Sequence, residues 1–303
     1  MEKVIVVIGP TSVGKTKMGV ALAKKFNGEV ISGDSMQIYK QMDIGTAKVT
    51  EGIIHHCVDI LNSDETYSVH DFQQTVRKKI TEIAQRGHVP IIVGGTGLYI
   101  KAALYDYQFD EMENDHHAIN EKYKDYTNEQ LHDHLKSIDE ESAKTLHFNN
   151  RRRVLRAIEI YETTGKRKSE MLEEQEHICL YDAYFVGLTL PRDVLYERIN
   201  KRVDVMMENG LKEEMERLYS QGLTRNHQSM KAIGYKEWFD YYDHQIDLND
   251  VLELIKKHSR QYAKRQYTWF KNQFDVHWYD VNLENFEQTI EQVTDDIEKI
   301  LKV

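Results

Sequence analysis

The chain has 303 residues, two cysteines, 40% hydrophobic residues and a formal net charge of −10. That length predicts about two domains at ~150 residues each, and the apolar fraction excludes a wholly disordered chain. The apolar runs are short, such as VIVVI at 4–8, against the ~18–20 residues that span a bilayer, and two cysteines cannot build a disulfide framework or a four-ligand zinc cluster.

The N-terminus reads MEKVIVVIGP, going straight into a strand without a basic leader or cleavage site, so a cytoplasmic chain is expected. KVIVVIG at 3–9 is a buried strand candidate, followed by GPTSVGKT and the helical KMGVALAKKF. EVISGDS at 29–35 reads as a second strand. Residues 68–86 place Phe72, Val76, Ile80 and Ile83 at helical spacing, with Ser68 and Asp71 as a capping pair and Gly87 as the stop. PIIVGG at 90–95 is a third buried strand. Strand–helix alternation of this kind predicts a parallel sheet covered on both faces. Residues 105–142 change texture, with twelve acids, three bases and several histidines. Helical patterns without a buried strand continue to about Cys179. AYFVGLTL at 183–190 then resumes the strand pattern, Pro191 stops it, a helix begins near Arg192, and VHWYDV at 276–281 can close the sheet. With three prolines and no Gly/Ser-rich tract, insertion into one sheet fits better than two tethered beads. The expected domains are a discontinuous α/β core at 1–108 and 180–303, of the P-loop NTPase-like class with a parallel sheet flanked by helices, and an inserted α-helical domain at 109–179.

Residues 9–16, Gly9-Pro10-Thr11-Ser12-Val13-Gly14-Lys15-Thr16, match G-x-x-x-x-G-K-[ST] between a strand and a helix. Successive backbone N–H groups and the helix N-terminus suit an anion. Lys15 can reach terminal phosphates, and the Thr16 hydroxyl can hold Mg²⁺. The loop is of nucleotide-binding type, with ATP one possible occupant. Hydrolytic enzymes add an Asp after a second buried strand, but here IIVGGT ends without an acid. The acid is Asp34, and Thr96 follows the IIVGG strand; ligands in open parallel sheets gather at the carboxyl ends of strands. A phosphate cradle, a carboxylate and a hydroxyl at one crevice suggest group transfer, with Asp34 accepting a proton; Asp34 could instead be a turn or N-cap residue.

GPTSVGKT, SGDSMQIYKQMDIGTAK at 32–48 and VGGTGLYIKAA at 93–103 resemble the tRNA dimethylallyltransferase (tRNA isopentenyltransferase) family. RRRVLRAIEIYETTGK at 151–166, MKAIGYKEW at 230–238 and RQYAKRQYTWF at 260–270 continue the resemblance in order. It implies an Mg²⁺-dependent transfer of a dimethylallyl group from dimethylallyl diphosphate to the exocyclic N6 amine of the adenosine 3′ of the tRNA anticodon, releasing diphosphate. Asp34 is then the general base, Thr96 helps hold the reacting groups, and Lys15, the loop amides and Mg²⁺ on Thr16 stabilise the leaving anion. Arg202 is a candidate diphosphate clamp or an exposed helix charge. The resemblance also implies that Asp34, Ser35, Met36 and Gln37 meet the extruded base, and that Arg152, Arg153, Arg156, Gly234, Tyr235, Lys264 and Arg265 contact tRNA, on its anticodon stem-loop. The chain ends EKILKV without a cysteine beyond Cys179, resembling the short bacterial form rather than the eukaryotic form with a zinc finger. A monomer is expected.

Charge patterning bears on the RNA expectation. Residues 151–168 hold seven bases and two acids, and residues 254–274 hold six bases and no acid. These +5 and +6 segments leave −21 on the rest of the chain. Lys257, Arg260, Lys264, Tyr267 and Lys271 recur on one helical face, suited to phosphate tracking with stacking from Tyr267 or Trp269; a solvated helix face is the alternative. A kinase using ATP, transfer to free adenine nucleotides and an RNA-binding module without chemistry are the competing functions. His55, His56 and Cys57, His116 and His117, and His132 and His134 lack a metal-ligand pattern, and the histidines read as surface or turn residues.

Overall fold

Lys3 and five apolar, β-branched residues make β1 (Lys3–Ile8), and its position explains why no polar alternation is present. In this computed structural model, β1 lies inside a six-stranded parallel sheet of order β3-β2-β4-β1-β5-β6, between β4 and β5. Both of its faces are covered. Val4, Val6 and Ile8 enter one apolar cluster, and Ile5 and Val7 enter another. The structure describes residues 1–49, 52–107, 116–173 and 177–301.

The glycine-rich loop leads from β1 into α1 (Lys15–Lys25), which is followed by β2 (Gly28–Ser32) and a two-residue β3 (His55–His56). The expected helix is α2 (Val69–Gln85), closed by a Ser68/Asp71 capping box and burying Phe72, Val76, Ile80 and Ile83. β4 (Val89–Val93) and α3 (Gly97–Leu104) complete the first part of the larger unit. That unit comprises Met1–Tyr105 and Cys179–Val303; the smaller one comprises Asp106–Ile178. The expected 108/109 boundary lies outside the described residues. Cys179, expected to end the insertion, pairs with Tyr105 in a short antiparallel bridge and belongs with the larger unit.

The smaller unit is helical: α4 (His116–Lys122), α5 (Asn128–Ile138), α6 (Glu140–Thr145), α7 (Arg151–Thr164) and α8 (Lys168–Glu173). Its core joins Ile119, Leu131, Leu135, Val154 and Ile158. The buried Asp139 carboxylate accepts the Ser142 N–H at 3.0 Å and the Ser169 hydroxyl at 2.7 Å, tying α6 to α8.

The larger unit resumes with β5 (Asp182–Thr189), and Pro191 stands at the N-cap of α9 (Arg192–Glu208). Then come α10 (Leu211–Ser220), a 3-10 turn at Ser229–Lys231, α11 (Trp238–Tyr242), α12 (Leu248–Gln273), β6 (His277–Asp280) and α13 (Phe286–Leu301). β6 closes the sheet edge against β5 as expected. One sheet face is covered by α2, α3 and α12 through Phe72, Ile100 and Phe270, the other by α1 and α13 through Leu22 and Val293. Pairing of Val7 and of Ser32 with Val93 brings the carboxyl ends of β1, β2 and β4 to one edge.

His55 and His56 correct the surface-or-turn reading. They form β3 against Val30 and Ile31, and His56 Nε2 lies 2.6 Å from the buried Glu29 carboxylate. Arg86 and His88 complete this cluster. Their hydrogen bonds outweigh the burial of Glu29 and hold its carboxyl down at about 2. His132 Nε2 lies within 3.0 Å of the Ala143 and Leu146 carbonyls, a local structural role. The side chains of His116 and His117 lie outside the described residues.

Candidate active site

The loop after β1 is shaped by backbone choices that its sequence permits. Gly9 and Gly14 take φ of 142° and 110°, and Ser12 takes 66°, a left-handed conformation that costs a side-chain-bearing residue energy. Val13 turns inward and is fully buried. Ser12 Oγ is buried and has no hydrogen-bond partner among the described residues, an orphan hydroxyl in a loop of amides. The Ser12 carbonyl accepts Arg198 Nε at 3.0 Å. Lys15 Nζ donates to the Pro10 carbonyl at 2.8 Å. Burial brings the Lys15 ammonium down to about 7; the Arg202 guanidinium pushes the same way, and the Asp34 carboxylate opposes both.

Two residues from α12, Tyr262 and Gln266, tie down the loops that line the first cavity. Gln266 Oε1 accepts the Thr11 N–H at 2.9 Å, while Gln266 Nε2 donates to the Gly95 carbonyl at 3.0 Å. One buried carboxamide therefore joins the loop after β1 to the loop after β4. The Tyr262 hydroxyl donates to the same Gly95 carbonyl at 3.2 Å, and burial, then Asp34, push its phenol up to about 12. Both residues lie in the RQYAKRQ segment, where the basic pattern drew attention to Lys264 and Arg265 instead. Their i, i+4 spacing, on the helix face opposite Lys264, is the signal that could have found them.

Asp34 follows β2. Its Oδ1 accepts the Met36 N–H at 2.9 Å, so the turn alternative is also true of it. It nevertheless opens into two cavities. The first, about 560 Å³, is lined by Lys15, Thr16, Asp34, Gln37, Arg198, Arg202 and Tyr262, among others. The second, about 340 Å³, is lined by Asp34, Ser35, Met36, Gly45, Arg202, Gly234, Tyr262 and Arg265, among others. Asp34, Arg202 and Tyr262 stand in both walls. Arg202 is thus no exposed helix charge: burial lowers its pKa, and Asp34 opposes that shift.

Thr96 is placed against Ser35 rather than in either wall. Its Oγ1 accepts the Ser35 N–H at 3.1 Å and donates to Ser35 Oγ at 3.3 Å. Gln37 is oriented at both ends: Oε1 accepts the Ser32 hydroxyl at 2.8 Å, and Nε2 donates to the Thr46 carbonyl at 3.1 Å. One N–H and one lone pair of its carboxamide remain for a ligand. Ser32 Oγ in turn accepts the Asp34 N–H at 3.3 Å.

The expected RNA contacts divide. Lys257, Lys264, Arg265, Tyr267 and Lys271 are exposed on α12, and Arg265 also lies 5.8 Å from the Tyr262 ring centre. Arg260 is held by Asn200. Gly234, at φ 97°, lines the second cavity. Tyr235 is a correction: it is fully buried, its hydroxyl donates to Glu214 at 2.6 Å, and its side chain has no surface to offer RNA. In the smaller unit, Arg152 and Arg153 are exposed, whereas Arg156 is paired with the buried Glu159 at 2.8 Å.

Fold and site together define an α/β protein with a glycine-rich loop and a buried lysine at the carboxyl ends of its parallel strands, and two cavities that share Asp34. Comparison with known proteins narrows this. The IPP transferase profile matches residues 37–273, and the isopentenyl transferase profile matches residues 2–58. A Bacillus cereus tRNA dimethylallyltransferase is 54% identical over 92% of this chain and 90% of its own length. A Bacillus anthracis tRNA dimethylallyltransferase is 53% identical over 92% and 91%. The structure of a tRNA isopentenylpyrophosphate transferase from Staphylococcus epidermidis superposes with a TM-score of 0.73 at 46% identity, covering 99% of each chain. A eukaryotic dimethylallyltransferase acting on tRNA superposes with 0.86 at 32% identity, covering 99% of this chain and 79% of its own. The chain belongs to the IPP transferase family.

Proposed function

We propose that the protein transfers a dimethylallyl group from dimethylallyl diphosphate to the exocyclic N6 amine of the adenosine 3′ of the anticodon in tRNA, releasing diphosphate. The observation that carries this reading is that Asp34 and Arg202 stand in the walls of two cavities, one backed by the Lys15–Thr16 cradle and the other rimmed by Gly234 and Arg265. A donor in the first and an acceptor in the second would meet at the carboxylate.

In the reaction the N6–carbon bond forms as the allylic carbon–oxygen bond breaks. The bonding electrons leave with diphosphate, and the amine proton passes to Asp34. Loop amides, the Ser12 hydroxyl, Lys15 and Arg202 receive the growing negative charge. Thr96, through Ser35, and Gln37 keep the acceptor side in place. Among the described residues no group of three His, Cys, Asp or Glu side chains could hold a metal ion. The Thr16 hydroxyl, which lines the first cavity, would offer Mg²⁺ a hard oxygen ligand. When bound there, Mg²⁺ would supply further charge for the leaving group.

Exposed bases on α12 and on α7 would follow the phosphates of the anticodon stem-loop, and the adenosine would leave its stack to reach the second cavity. Each chain carries a whole set of these residues, which supports action as a monomer, and a tRNA substrate favours the cytoplasm. No described helix is long and apolar enough to cross a membrane.

Incubation with Mg²⁺, dimethylallyl diphosphate and unmodified tRNA should raise the mass of the tRNA by one dimethylallyl group. Consumption of ATP without a mass gain would replace this reading with the kinase alternative.

A further inference from the structure

Glu214, on α10, is only 2% exposed, and no role in the reaction above falls to it. Its carboxylate nevertheless takes four donors. Oε2 accepts the N–H groups of Asp43 and Ile44, each at 2.8 Å. Oε1 accepts the Gly45 N–H at 3.1 Å and the Tyr235 hydroxyl at 2.6 Å. Three successive backbone amides thus converge on one buried anion, a charge-assisted arrangement. Gly45 is pressed against Tyr235 so closely that a Cβ there would lie 2.5 Å from the ring.

The two segments that Glu214 joins are both walls of the smaller cavity, which takes Gly45 and Thr46 from one and Gly234 from the other. The Thr46 carbonyl then holds Gln37 Nε2, and the Ser32 hydroxyl holds its other end. Through the 43–46 backbone, hydrogen bonds therefore link the Glu214 carboxylate to Gln37, whose carboxamide is suited to an adenine edge.

We propose that Glu214 is a positioning residue for recognition of the acceptor base, fixing the 43–46 loop and, through the Thr46 carbonyl, the orientation of Gln37. Gln37 itself lines the first cavity, and Asp34 and Thr46 stand in the walls of both, so this rests on the reading that an acceptor base entering through the second cavity reaches Gln37 beside Asp34. Both carboxylate oxygens are acceptors, so a carboxamide in their place must turn its NH₂ towards donors. With the NH₂ on the Oε2 side it opposes two backbone N–H groups. With it on the Oε1 side, the Tyr235 hydroxyl can turn to accept, but the Gly45 N–H loses its partner, one residue before Thr46.

The test measures three things on full-length protein: amide hydrogen exchange, separate KM values for tRNA and dimethylallyl diphosphate, and binding of anticodon stem-loop RNAs carrying adenosine or guanosine at the acceptor position. In Glu214→Gln, exchange at residues 43–45 should quicken. The preference for adenosine should fall about tenfold, the scale of one lost base contact. KM for tRNA should rise while KM for the diphosphate stays put. Tyr235→Phe, which removes one donor and keeps the ring, should move the preference the same way by less. A folded Glu214→Gln with intact preference for adenosine would overturn the proposal, as would a rise of both KM values together. Should Glu214→Gln fail to fold, an unchanged preference in Tyr235→Phe decides against it. Wild-type protein that prefers adenosine but transfers nothing would remove the prenyl reading and leave the positioning role standing.

Discussion

Lys15 gives the site its pH signature. In the free protein the ammonium is lost as pH rises through about 7, whereas a bound diphosphate favours the charged form. Donor binding above that pH must therefore take up a proton, and donor affinity should fall about tenfold per pH unit. Calorimetry in two buffers of different ionisation enthalpy at about pH 8 reads the uptake directly, and Lys15→Met should abolish it. Stability carries the opposite sign. The folded pKa lies below the unfolded value of 10.5, so the unfolded chain binds more protons between the two and stability rises with pH across that interval. Asp34 makes a different prediction. Asp34→Asn keeps the turn acceptor for Met36 but removes the proton acceptor. Its kcat should drop by about 10²–10⁴-fold while a filter-binding assay still detects tRNA. Undiminished turnover would assign the proton to another group.

Among the elements, α12 concentrates the most roles. One face supplies Tyr262 and Gln266 to the two glycine-rich loops, and another exposes Lys257, Lys264 and Lys271. Lys264→Ala should weaken tRNA binding over all sequences and reduce its salt slope by about one. An unchanged slope would place Lys264 off the RNA. The same helix shows what could be seen from sequence. Its exposed bases stood out because no acid interrupts them from Leu254 to Phe274, whereas Gln266 works through the backbone of residues distant in the chain, which local pattern does not display. β1, β2, β4 and β5 were legible because buried parallel strands are largely apolar runs, and β6, an edge strand that buries Tyr279, from the apolar VHWYDV segment. β3 was not, since two histidines carry no strand signature, and the Glu29 carboxylate that His56 meets is distant in the chain. The cradle could be read from its glycines and Lys15, and Asp34 from its place after a strand. Tyr235 was misplaced because its motif looks polar, while its hydroxyl is spent on a buried carboxylate.

For the whole molecule, the partition of charge matters more than its sum. Two basic segments carry +11 on a body of −21. That body should repel RNA that does not engage both segments. Neutralising exposed acids away from residues 151–168 and 254–274 should raise affinity for unrelated RNA, measured by competition at fixed salt; no change would refute the repulsion. The bridge between Tyr105 and Cys179 bears on how the chain folds. Lys3 must find Asp182 to start the β1–β5 pair, a search across more than half the polypeptide. The helices of 106–178 need only one another for their core. The Asp106 N–H and the Ile178 carbonyl lie 3.0 Å apart. Early collapse of that local unit therefore ties off its whole length as a closed loop, and the entropic cost of bringing β5 to β1 falls to that of a much shorter chain.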